Sequence, residues 1–236
     1  MTGVQTCALP IYALVTIDGG TGSGDRVNAD DGGDTAGNSG TLTDALLSGL
    51  SSGNIAYSNV ESLLIWLGGA PGTGAGVNNA FNIQSTAAAT PVTVTDRGGN
   101  ATINVGSTAS VVNDIRSLLT LAADGGTDTL NIVESGETAN QSGTLTGTTI
   151  TGFGLSASGI SYSGFDVVNM TLGSGVDTVV IADTHALTTN IDSGAGNDVF
   201  NIARVSGTTT LSGGADDDRF NVNYSSAGAQ TFANNI

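Results

Sequence analysis

The chain has 236 residues, a formal net charge of −16 and five basic residues, all of them arginine. That balance argues against nucleic acid and anionic membranes as partners, because both repel an acidic chain. Cys7 is the only cysteine, which excludes a disulfide framework, and no apolar run is long enough to cross a membrane as a helix.

Residues 1–11, "MTGVQTCALPI", resemble the in-frame translation of a sequencing adapter, and they are set aside as an adapter-derived artefact before any fold reasoning. On this reading Met1 is not a biological start, and Ile236 is an artificial end as well. Only three of the 21 acidic residues are Glu (Glu61, Glu134, Glu137); the others are Asp. Exposed helices favour Glu, whereas turns favour Asp, whose short carboxylate reaches nearby backbone N–H groups. With 36 glycines and few aromatic residues, the composition predicts many tight turns, short strands and a thin aliphatic core.

A short unit recurs along the chain: apolar-x-apolar, a Gly/Asp turn, then apolar-x-apolar. It reads "VTIDGGTGSGDRVN" (15–28), "VTVTDRGGNATINV" (92–105), "LTLAADGGTDTLNI" (119–132), "MTLGSGVDTVVI" (170–181), "TNIDSGAGNDVFNI" (189–202) and "TTLSGGADDDRFNV" (209–222). Period-two alternation makes each flank a strand with one buried face. Two stretches are less regular. "TLTDALLSGL" (41–50) reads as a bent strand or a short helix. "SVVNDIRSLL" (110–119) has helical spacing of its apolar residues.

A longer repeat encloses the short one. "DRVNADDGGDTAGNSGTLT" (25–43) aligns without a gap to "DTLNIVESGETANQSGTLT" (128–146), and "NIAYSNVESLLIWLG" (54–68) to "GISYSGFDVVNMTLG" (159–173). The copies run over 12–118 and 119–208, and a third, truncated copy begins at 209 and continues to 236. Asp177 to Asp198 is 21 residues and Asp198 to Asp218 is 20, room for two strands and two turns in each interval. The fold class predicted is all-β: a parallel β-solenoid, β-helix or β-roll-like, with coils of about 20 residues that bury their apolar faces against their neighbours. The alternative is an antiparallel β-sandwich, which does not need the same turn in the same register every 20 residues.

The Gly/Asp turns resemble the repeats-in-toxin (RTX, hemolysin-type) nonapeptide G-G-x-G-x-D-x-U-x, where U is a large apolar residue. "LGSGVDTVV" carries Gly173, Gly175 and Asp177. "SGAGNDVFN" carries Gly194, Gly196 and Asp198. "GGADDDRFN" carries Gly214 and Asp218, with Asp217 beside it. The long unit also resembles repeats of very large bacterial secreted or surface proteins. The resemblance implies a secreted or cell-surface segment of an adhesin-like protein that binds calcium ions through these residues. It also implies contact with extracellular glycans or proteins through the parent protein. Only one turn per coil carries the motif, however, and the Asp position holds Asn79 and Ala101 in the first copy. Calcium takes six to eight oxygens from carboxylates and carbonyls, which stacked Gly-rich turns can present; the competing reading is that each Asp caps its own turn.

Other chemistries find little support. "GGTGSGD" (19–25) lacks the Gly-Lys-Ser/Thr of a phosphate loop. His185, the only histidine, reads as a solvated turn residue. Evenly repeated turn acids argue against catalysis, which needs one distinctive constellation, so no enzyme is expected. The alternative function is a β-helix domain that acts on or binds polysaccharide, and its nearest candidate loop, 67–81, holds no charged residue. Asn82, Asn104, Asn131, Asn201 and Asn221 recur between apolar residues and are expected to face outward and stack as an amide ladder. With uncapped end coils, the isolated segment is expected to self-associate or to be only marginally folded.

Overall fold

Apolar residues at every second position turn inward in strand after strand. In Asn100–Val105, for example, Ala101, Ile103 and Val105 are buried while the alternate residues face out. The computed structural model describes residues 4–7, 12–34, 36–69 and 78–222, with 4–7 as backbone only. Much of the long loop singled out above, 70–77, lies outside the described residues, as does 223–236.

Among the described residues, twenty-one strands run in chain order. They are β1 (Val4–Cys7), β2 (Val15–Asp18), β3 (Arg26–Asp30), β4 (Ser39–Leu42), β5 (Leu46–Ser48), β6 (Ile55–Ser58) and β7 (Ser62–Trp66). Next come β8 (Asn78–Ile83), β9 (Val92–Thr95), β10 (Asn100–Val105), β11 (Leu119–Ala122), β12 (Thr129–Val133), β13 (Ser142–Leu145) and β14 (Thr149–Gly152). The last are β15 (Ile160–Ser163), β16 (Val167–Thr171), β17 (Thr178–Ile181), β18 (Thr188–Asp192), β19 (Val199–Ile202), β20 (Thr208–Ser212) and β21 (Arg219–Val222). Among the described residues there is no helix. The stretch 41–50 forms parts of two paired strands, β4 and β5. The stretch 110–119 is a series of turns pinned by the Ile115–Thr86 bridge, its apolar residues Val112, Ile115 and Leu119 all buried.

The strands fall into two large, mostly parallel sheets. The first has eleven strands in the order β1-β3-β7-β9-β11-β15-β14-β13-β17-β19-β21. The second has ten, ordered β2-β6-β5-β4-β8-β10-β12-β16-β18-β20. The chain passes back and forth between them, which aligns like residues in columns. Phe81, Ile103, Leu130 and Val168 form one inward column of the second sheet, and Ile83, Val105, Ile132, Met170 and Ile191 form another. All nine are at least 98 % buried, so burial of aliphatic area, at roughly 25 cal/mol per Å², is the main stabilising term. Further along, Thr189 and Thr209 replace the aliphatic residues of the first column. Both are buried and both are hydrogen-bonded, Thr189 with His185 and Thr209 to the Gly207 carbonyl.

Among the described residues the antiparallel pairs are confined to two meanders, β4–β5–β6 and β13–β14–β15. These occupy corresponding places in the aligned segments. Strands β3 to β7 match β12 to β16 one for one, yet in opposite sheets: β3 and β7 lie in the first sheet, β12 and β16 in the second. Matching elements are offset by nine strands, an odd number, so a chain that alternates sheets delivers the second set to the other side.

Each meander is tied by the same contacts. Thr43 and Thr146 accept backbone N–H groups of the following turn through Oγ1. The Tyr57 hydroxyl donates to the Thr43 carbonyl, and the Tyr162 hydroxyl to the Thr146 carbonyl. Gly143 lies under Phe153, where an added Cβ would fall 2.1 Å from a ring carbon. We expect Tyr162→Phe to destabilise the protein by about 1–3 kcal/mol, because the Thr146 carbonyl loses its hydroxyl donor. Gly143→Ala is expected to cost more, since the Phe153 ring must move. Urea denaturation followed by circular dichroism checks both.

Candidate functional site: a column of carboxylates

The residue immediately before a strand is acidic at seven strands: Asp25, Glu61, Asp128, Asp166, Asp177, Asp198 and Asp218. Parallel pairing stacks these positions. Asp177, Asp198 and Asp218 enter β17, β19 and β21, three neighbouring strands of the first sheet. Asp177 is 1 % exposed and Asp198 is fully buried, while Asp218 is half-buried.

Their oxygens hold the main chain. Gln141 N–H donates to Asp177 Oδ1 at 2.7 Å, Asp177 N–H to Asp198 Oδ1 at 2.7 Å, and Asp198 N–H to Asp218 Oδ1 at 3.0 Å. The carbonyl of each buried Asp accepts from the next level in turn, Asp177 from Val199 N–H and Asp198 from Arg219 N–H. The same bond recurs elsewhere. In the second sheet Ala101 N–H donates to Asp128 Oδ1 and Asp128 N–H to Asp166 Oδ2, both at 2.7 Å. In the first, Asp25 N–H donates to Glu61 Oε2 at 2.6 Å. Asn79, with an amide oxygen, accepts Asn38 N–H in the same way.

The glycines pack level against level. A Cβ on Gly194 would sit 2.0 Å from the Gly173 carbonyl oxygen, one on Gly196 2.3 Å from that of Gly175, and one on Gly214 1.8 Å from that of Gly194. The carbonyls of Gly173 and Gly194 accept the N–H groups of Ala195 and Ala215. Asp217 is exposed, and its N–H donates to Asn197 Oδ1. The structure therefore brings Asp177, Asp198 and Asp218 into one column with these glycines, and leaves Asp217 on its rim. Among the described residues no three His, Cys, Asp or Glu side chains are grouped so as to hold a metal ion. One column oxygen, Asp198 Oδ2, is buried without a partner.

Sequence reasoning did not single out Asp166 and Glu61. The signal was present: they occupy the same place in the aligned long segments, one residue before a strand. His185 differs from its expected solvated state. Its ring is half-buried, with Nε2–H facing the Asp166 carbonyl at 3.3 Å, Nδ1 the Thr189 hydroxyl at 2.9 Å, and its edge against Tyr162. An asparagine ladder forms on the second sheet, taking in Asn169 and Asn190 but not Asn201 and Asn221. Asn104, Asn131, Asn169 and Asn190 each donate through Nδ2 to the Oδ1 of the preceding member, back to Asn82, at 2.8–2.9 Å. Asn221 and Asn201 pair likewise on the first sheet.

Burial has an electrostatic cost. It raises Asp177 above the usual carboxylate range, against the opposing bond from Gln141 N–H, with the charges of Asp198 and Glu137 adding to the rise. Burial carries Asp128 to about 6, with smaller contributions from Asp96, Asp166 and Asp124. Asp31 reaches about 6 and Glu134 about 8, again chiefly through burial. No protein-family model, curated protein or solved structure matches the chain.

Two outcomes follow. Asp198→Ala should destabilise by about 1–3 kcal/mol because Asp177 N–H loses its acceptor, whereas Asp198→Asn should be far milder, since an amide oxygen serves at Asn79; chemical denaturation separates them. Groups with raised folded-state values bind more protons folded than unfolded, so their stabilising contribution is full only below about pH 3.8 and declines as pH rises, until it is gone above about 6 for Asp31 and Asp128 and above about 8 for Glu134. The melting temperature at pH 5 should therefore exceed that at pH 8.5, as read by circular dichroism.

Proposed function

We propose that this chain is a structural segment: part of a long, acidic parallel β-solenoid that spaces and presents other domains of a large exported, adhesin-like or surface protein. The observation that carries this reading is the repeated bond from a carboxylate to the main chain of the neighbouring level. Acids that a catalytic reading would need are committed to stacking, at the same place in strand after strand. The amide ladder does the same on the outer face. Both devices scale with the number of levels, as expected of a spacer built by repetition. High negative charge keeps such a chain soluble and extended before it stacks.

Calcium belongs to this proposal as a folding partner at Asp177, Asp198 and Asp218. The free Asp198 Oδ2 supports it, as does the mutual repulsion of buried carboxylates at neighbouring levels. The ten strands of the first sheet that lie outside residues 1–11, about 4.8 Å apart, give a rod roughly 45 Å long. Small-angle X-ray scattering of the chain, and of the segment lengthened by one further long repeat, tests the spacer reading. The expected result is a cross-section that stays constant while the length grows. A particle that thickens in all directions instead would refute it.

A further inference from the structure

Glu134, just after β12, is fully buried, and neither of its carboxylate oxygens has a hydrogen-bond partner. Its neighbour Glu137 is amply bonded: Oε1 accepts the N–H groups of Thr138 and Ala139, and Oε2 accepts Asn113 Nδ2. The other end of that amide faces the same spot as Glu134. A Cβ on Gly154 would lie 1.6 Å from Asn113 Oδ1 and 3.5 Å from Glu134 Oε1. Gly154 adopts φ +78° and is exposed, as is Asn113, so the spot lies one layer beneath water.

The aligned place in the first copy is built differently. Asp31 and Asp34 correspond to Glu134 and Glu137. There Asn38 Nδ2 donates to both acids, 2.6 Å from Asp31 Oδ2 and 3.2 Å from Asp34 Oδ2. At the position of Asn38 the second copy has Gln141. The acceptor for that residue's main-chain N–H is neutral Asn79 in the first copy and charged Asp177 in the second. The second copy therefore has a carboxylate where the first has the Asn79 amide, and its acid pair lacks the amide bridge.

We propose that the Glu134 carboxylate and Asn113 Oδ1, beneath Gly154, bind a hard divalent cation of the calcium class, with water completing its shell. An unpaired buried carboxylate is costly, and a cation supplies the positive partner that Asn38 approximates in the first copy. The donors are all oxygen, which selects hard cations over thiophilic ones. The charges of Glu137 and Asp177 add attraction without being ligands. With a single carboxylate ligand the affinity belongs in the weak, extracellular range of about 10⁻⁴–10⁻³ M. Its ligands are separate from the Asp177–Asp198–Asp218 column, although the Asp177 charge is felt at Glu134.

The test is a set of thermal melts of the full chain at pH 8, with CaCl2 raised to about 10 mM, tenfold or more above that range, and MgCl2 as comparison. Wild type should melt higher as calcium is added. Glu134→Gln should lose the part of that shift that this site supplies and, without calcium, melt above wild type, because the buried charge is gone. Asn113→Ala should shrink the same part, and Asp198→Asn should keep it while losing only what the aspartate column contributes. A calcium shift unchanged in Glu134→Gln overturns the proposal. A shift lost only in Asp198→Asn also overturns it, while favouring the aspartate column. If wild type shows no shift, Glu134 takes up only a proton and the proposal fails. Should Glu134→Gln not fold, a response undiminished in Asn113→Ala is the overturning result.

Discussion

A main-chain N–H that faces the next level of a parallel stack is cut off from water, and it must find an acceptor there. Within strands the neighbouring carbonyls provide it. At the point where a turn becomes a strand, that ladder falters, and a side-chain oxygen takes over. Asp177, Asp198 and Asp218 do this in the first sheet, and Asp128 and Asp166 in the second. The composition follows from this requirement: a short carboxylate one residue before a strand reaches a neighbouring backbone about 5 Å away, where a Glu in most places would overshoot. Glycine accompanies it because the turns of successive levels approach too closely for a Cβ.

The same arrangement creates a conflict. Carboxylates hold the levels together while repelling one another across them, and burial deepens the repulsion. The chain answers it in three ways. Asn79 substitutes a neutral oxygen, Asn38 inserts a donor between Asp31 and Asp34, and burial makes Asp128 and Glu134 easier to protonate. The asparagine column from Asn82 to Asn190 avoids the conflict altogether. Each amide between the two ends both gives and receives, and the aligned dipoles reinforce one another along the stack.

Period-two alternation marked the strands correctly, and the 20- to 21-residue spacing of Asp177, Asp198 and Asp218 placed them in one column. What alternation could not convey was direction. Nothing local distinguishes β5 and β14, which run antiparallel within their meanders, from their parallel neighbours. The turns at 110–119 carried helical spacing because Val112, Ile115 and Leu119 all reach the core from an irregular backbone. The role of Asp166 and Glu61 was hidden for a different reason: Glu61 has no glycine in the turn before it, and Asp166 has Gly164 alone, not the paired glycines that drew attention to Asp177 and Asp198. Glu134 was invisible as a candidate, since only packing reveals that both its oxygens lack partners.

Each meander places three strands where the facing sheet has one: β6, β5 and β4 separate β2 from β8, whereas β3 alone separates β1 from β7. Two surplus strands make that sheet about 10 Å wider over the same stretch of chain. The second meander falls in the other sheet and adds the same width there. A row of such units would set its meanders alternately in opposite sheets, at a pitch fixed by the parity of the strand count.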